Sequence, residues 1–116
     1  MAETESGSLA FRTCIPCRGG VPTLPEDVIL MFLRELDDQW RVVEGKRLER
    51  EFRFKNFRQS MAFAQVIGAI AEEQKHHPDL CVGWGYVRVA LSTHAIGGLH
   101  ENDFILAARI DRVPLE

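Results

Sequence analysis

The stretch Glu72-Glu73-Gln74-Lys75-His76-His77-Pro78 holds two of the chain's four histidines side by side, and His94 and Asp103 follow it. Imidazole is the side chain whose ordinary pKa lies nearest neutrality, so a histidine cluster can give and take protons at physiological pH. A carboxylate within reach can orient an imidazole and raise its pKa. Glu72 stands four residues before His76, which puts both on one face of a helix. We read these residues as an acid–base site. The plainer alternative is a histidine pair favoured by the negative end of a helix. A zinc site from His76, His77, His94 and Cys81 has suitable donor types. Adjacent histidines point in different directions, however, which argues against a metal there. Cys14-x-x-Cys17 has no second such pair beside it, so its thiols read as structural or incidental. A thiol- or metal-dependent regulator is the alternative there.

The elements that must position the cluster belong to one domain of 116 residues, enough chain for one core. The hydrophobic content of 46 % is ordinary for a packed fold, and the net charge of −3 argues against general affinity for nucleic acid or anionic membrane. No apolar run approaches a bilayer span. Met1 to Ala10 lacks the pattern of a signal peptide, and three cysteines suit a reducing compartment. A cytoplasmic protein is expected. Residues 1–22 read as a partly disordered tail with a Cys-x-x-Cys and Gly-Pro segment, and 23–116 as the folded domain.

Pro25, Glu26 and Asp27 open a helix, with Thr23 or Leu24 at its cap and Val28, Met31, Phe32 and Leu36 as its apolar stripe. Trp40 to Val43 reads as a strand, Glu44-Gly45-Lys46 as its turn, and Leu48 to Phe54 as a half-buried strand. Asn56, with Gln59 three residues on, caps a long helix running to about Lys75. Its expected stripe is Phe57, Met61, Ala64, Ile67 and Ala71, widened by Phe63, Val66 and Ile70. Leu80 to Thr93 holds one or two strands, with a bulge or crossing at Gly83 and Gly85. Glu101, Asn102 and Asp103 open a last helix. This order predicts an α+β fold, a small and mostly antiparallel sheet of three to four strands with three helices packed on one face.

The spacing of Glu72, His76-His77-Pro78, Trp84, His94 and Asp103 resembles that of the pterin-4a-carbinolamine dehydratases. Glu51-Phe52-Arg53-Phe54-Lys55-Asn56-Phe57 resembles the family's second strand entering its long helix, and Ser92-Thr93-His94 with Gly97-Gly98-Leu99 resembles its strand end and turn. The likeness covers roughly residues 36 to 112. Lys75, Leu80-Cys81 and His100 depart from the family's usual residues, and the Cys14 to Gly20 segment is similar to an extension in some bacterial members. The resemblance implies dehydration of 4a-hydroxytetrahydropterin to quinonoid dihydropterin, recycling pterin for an aromatic amino acid hydroxylase. It implies His76 and His94 as acid and base, and His77 as a residue that binds and orients the pterin. Glu72 would tune His76, Asp103 would orient a site group or cap the last helix, and Trp84 would form an apolar wall. Backbone around Ser92, Thr93 and His94 would meet the pterin's amide-like edge. Members are often homodimers or homotetramers. Relatives of the fold also serve as a transcription dimerisation cofactor and as Rubisco assembly factors, so a non-catalytic binding protein is the competing expectation.

Overall fold

A computed structural model describes residues 8–16 and 19–115. The expected tail over residues 1–7, and Cys17 of the Cys-x-x-Cys pair, lie outside the described residues. The elements are a 3-10 turn at Ser8–Phe11, α1 (Glu26–Leu33), β1 (Arg41–Val43), β2 (Arg47–Arg53), α2 (Phe57–Gln74), β3 (Asp79–Gly83), β4 (Tyr86–Leu91), a 3-10 turn at His94–Ile96 and α3 (Glu101–Asp111). The strands form one antiparallel sheet in the order β1-β2-β4-β3. This is the α+β fold that the order of elements predicts.

Alternation decides which face of the sheet is covered. Leu48, Arg50 and Phe52 on β2, with Val87, Val89 and Leu91 on β4, are buried beneath the helices. The residues between them, such as Glu51 and Arg88, turn to the other face, where these two form an ion pair. Phe63 of α2 stacks on Phe52 and Phe54, with ring centroids 4.6 and 5.1 Å apart. Each such aromatic pair contributes about 0.5–1.5 kcal/mol beyond the area it buries.

Several local expectations need correction. The buried stripe of α2 is Ser60, Phe63, Ala64, Ile67, Ala71 and Gln74, whereas Phe57, Met61 and Val66 are exposed. Phe63, Ala64, Ile67 and Ala71 face inward as expected, but the helix is rolled so that its contact stripe begins and ends on the polar residues Ser60 and Gln74. Ser60 is satisfied by the Asn56 and Trp84 carbonyls, and Gln74 by the Cys14 N–H. In α1, Ile29 is buried and Met31 exposed, and the cap is Pro25 rather than Thr23 or Leu24. The Leu24 N–H is already committed to the Leu99 carbonyl. Gly83 and Gly85 flank a hairpin turn rather than a bulge. A Cβ on Gly83 would run into the Tyr86 ring, and one on Gly85 would meet the Phe54 carbonyl oxygen at 2.9 Å. The core also begins well before residue 23, since Leu9 and Ala10 are buried within it.

Candidate active site

Backbone geometry brings the cluster together. Helix α2 stops at Gln74 because Lys75 takes the left-handed conformation, with φ 56° and ψ 38°. The His76 N–H bonds to the Ala71 carbonyl and the Lys75 N–H to the Glu72 carbonyl, the paired bonds of a Schellman closure. His76 and His77 therefore lie beyond the helix, and their route turns directly into β3. Strand β3 pairs with β4 so that Asp79 faces Ala90. Carrying that register two and three residues outward sets His77 opposite Ser92 and His76 opposite Thr93. The hairpin thus returns the end of β4 to the end of α2. Thr93 then forms a bridge with Gly98, closing a tight loop that displays His94, with Gly97 at φ 68° completing the turn.

Asp103 is the hub. It is fully buried on the first turn of α3. Its Oδ1 lies 2.6 Å from His76 Nε2. Its Oδ2 accepts from Thr93 Oγ1 at 2.8 Å and from the His100 N–H at 3.0 Å. A buried carboxylate is costly unless its acceptor sites are filled, and three donors fill them here. An ionised carboxylate only accepts, so His76 Nε2 is the donor in this bond and Nδ1 is the ring nitrogen it leaves for other partners. Asp103 caps α3 through the His100 N–H and orients His76 at the same time. His100 Nδ1 in turn accepts from the Asn102 N–H at 3.0 Å.

Glu72 pairs with His77 rather than His76, Oε2 to Nε2, at 2.6 Å. The left-handed Lys75 breaks the helical spacing on which the Glu72–His76 expectation rests. Both partners are more than half exposed, which limits a surface pair to about 0–1 kcal/mol. His76, His77, Ser92, Thr93 and His94 line one cleft of about 280 Å³, joined by Lys75, Ala95, Asn102 and Ile15. Trp84 does not line it. It sits in the hairpin turn, 69 % exposed, at the far end of a five-residue strand, roughly 16 Å away at the usual rise per residue. Pattern reading of the last helix and the tail missed Asn102 and Ile15. The polar Asn102 beside Asp103 was the available signal.

Beneath this cleft, burial pushes the Cys14 thiol up to about 11, against an opposing pull from Arg109. The thiol therefore stays protonated at neutral pH and is a poor nucleophile. Among the described residues no three histidine, cysteine or acidic side chains are placed to hold a metal ion. A larger depression of about 740 Å³ lies on the helix-free face of the sheet, lined by residues including Arg41, Glu49, Glu51 and Arg88. It contains no histidine, and Arg88 and Glu51 within it neutralise each other.

Comparison with known proteins decides the family. The profile described as pterin 4 alpha carbinolamine dehydratase matches residues 22–113. The chain belongs to that family. A protein of Alkaliphilus metalliredigens named "Putative pterin-4-alpha-carbinolamine dehydratase" is 45 % identical over 105 residues, covering 90 % of this chain and 95 % of its own length. The protein of the same name from Methylococcus capsulatus is 43 % identical over 113 residues, covering 97 % of this chain and 98 % of its own. Among solved structures, a transcriptional coactivator/pterin dehydratase from Brucella melitensis superposes with a TM-score of 0.70 at 32 % identity, covering 76 % of this chain and 94 % of that one. A pterin dehydratase-like protein described as a RuBisCO assembly factor in the alpha-carboxysome gives 0.54 at 31 % identity, covering 63 % and 86 %. No helix among the described residues is long and apolar enough to cross a membrane.

Proposed function

We propose that the protein dehydrates 4a-hydroxytetrahydropterin to quinonoid dihydropterin and water by histidine acid–base catalysis. One observation carries the reading: in a chain of this family, three histidines line a single cleft, and one of them is locked onto a fully buried carboxylate. The reaction removes the N5 proton, breaks the C4a–O bond and releases the hydroxyl as water. Hydroxide leaves poorly, so an acid must protonate it while a base takes the N5 proton. Each positioned acid or base typically contributes about 10²–10⁴-fold.

His76 and His94 take the acid and base roles. Asp103 fixes the His76 ring, leaving Nδ1 to exchange the proton, and His94 stands on the loop held by the Thr93–Gly98 bridge. His77, paired with Glu72, binds and orients the pterin at the open side of the cleft. Backbone at Ser92 to His94 meets its amide-like edge. No metal or other cofactor is required by this scheme. The family resemblance makes a homodimer or homotetramer the working assembly, with β1 and β3 as the edges of the sheet, and an aromatic amino acid hydroxylase the source of the substrate.

Stopped-flow decay of the 4a-carbinolamine tests the reading. The intact protein is expected to accelerate decay well above the spontaneous rate, and His76→Ala and His94→Ala each to lose about 10²-fold or more while keeping the fold. A folded protein that leaves the spontaneous rate unchanged sinks it.

A second reading, a protein-binding or assembly factor, is favoured by the exposed apolar side chains of Phe57 and Met61 on the first turns of α2. Trp84 sits beside them, its carbonyl held by Ser60. Partner capture that persists in His94→Ala and disappears in Met61→Lys places that role outside the cleft.

A further inference from the structure

The segment Leu9–Ile15 is held to the domain along its whole length. Leu9 is fully buried in the core and its N–H donates to Glu35 Oε1 at 3.2 Å. Arg109 Nε donates to the Arg12 carbonyl at 3.1 Å. Gln74, buried at the end of α2, accepts from the Cys14 N–H at 2.8 Å. Asn102, buried on α3, closes a two-bond ring with Ile15. Its Oδ1 accepts from the Ile15 N–H at 3.0 Å and its Nδ2 donates to the Ile15 carbonyl at 2.6 Å. The side-chain amide engages Ile15 as a neighbouring strand would, and satisfies both of its own polar atoms.

Ile15 and Asn102 both line the histidine cleft. Among the described residues lining it, all the others apart from Ala95 are polar or charged, so Ile15 is the one large apolar residue among them. Pockets for small ligands normally pair a few polar groups with substantial apolar lining. A fused-ring substrate at this cleft would find that lining on the N-terminal segment. The arrangement also ties the segment to the chemistry. Consecutive residues on the first turn of α3 divide the work, with Asn102 gripping Ile15 and Asp103 gripping His76.

We propose that Leu9–Ile15 is a built wall of the active site, that Ile15 contacts the reduced pterin ring, and that Asn102 is the positioning residue that sets Ile15. This rests on the dehydratase reading given above. The test compares the unsubstituted protein with Ile15→Ala, Asn102→Ala and the double variant. It reads kcat and KM for the 4a-carbinolamine, and the Kd of an unreactive dihydropterin by fluorescence quenching. Ile15→Ala is expected to raise KM and Kd about 3- to 10-fold, the effect of losing one or two buried methylene contacts, with kcat changed less. Asn102→Ala is expected to act in the same direction, and adding Ile15→Ala to it should add little, because the two residues act as one unit. An active wild type whose KM and Kd are unmoved by Ile15→Ala overturns the proposal. Ile15 is exposed, so this variant decides the matter even if Asn102→Ala fails to fold. A wild type that neither turns over nor binds pterin is a different result, and removes the dehydratase reading along with this one.

Discussion

Two histidines stand next to each other in this chain, yet their surroundings differ. His76 is largely buried and its carboxylate partner Asp103 fully so, whereas His77 and Glu72 stand mostly in water. Electrostatic pairing is weak where water screens it and strong where the protein excludes water. The two carboxylates should therefore respond differently to removal of charge. Asp103→Asn replaces an oxygen that now receives a donor with an NH₂ group. It should lower kcat at least about 10-fold, a part of the roughly 10²–10⁴-fold that a positioned acid or base contributes. Glu72→Gln keeps the shape of an exposed partner and should change kcat by less than about 3-fold, in line with a surface pair. Steady-state rates of both variants at one pH check this. Equal losses would mean that burial does not rank the pair. Sequence spacing assigns Glu72 to His76, and a single left-handed residue between them gives it to His77 instead.

At the scale of elements, the site depends on where chains stop. Lys75 ends α2 in a conformation that favours glycine, since an L side chain there crowds the next carbonyl by roughly 1–2 kcal/mol. Replacing it with glycine relieves that crowding and adds entropy to the unfolded chain, which offsets part of the gain. Lys75→Gly should stabilise the fold by about 0.5–1 kcal/mol, a rise of about 2–5 °C in Tm, read by thermal unfolding. A fall in Tm would show that the lysine side chain supplies more than the backbone loses. The β3–β4 hairpin is the other decisive element. Its existence answers how a helix end and a strand end meet, and Gly83 and Gly85 mark where side chains had to be absent.

At the scale of the molecule, the domain is larger than the stretch that carries the family pattern. The profile begins at residue 22, but Leu9 packs inside the same core as Phe104 and Leu106. Truncating a buried leucine leaves a cavity and typically costs about 2–5 kcal/mol. Leu9→Ala should lower stability by that amount in urea unfolding, with the m value unchanged. A loss below about 0.5 kcal/mol would place residue 9 outside the cooperative unit. A polar cluster at the C-terminal end of α3 also ties that helix to the rest of the fold. Asp111 accepts from the Asp37 N–H, Trp40 Nε1 and Arg50. Burial raises its carboxyl above the usual range, against those three lowering contacts.

Residue types and their periods determined much of this protein. Alternation along β2 and β4, the Asn56 cap and the proline and glycine positions specify the α+β order, because these are local properties of the backbone. The histidines of the cleft and their carboxylate partners were also legible as types, at a spacing that matches one family. Which carboxylate serves which histidine was not legible, because that depends on the turn at Lys75 and on the β3–β4 register. The roll of α2 was hidden by Ser60 and Gln74, polar residues that are buried only because partners far along the chain satisfy them. Trp84 was drawn toward the cleft by sequence order and carried away from it by the hairpin. Ile15 came to the cleft through Asn102, 87 residues distant. Contacts of that range have no trace in a local pattern, so tertiary packing alone decided them.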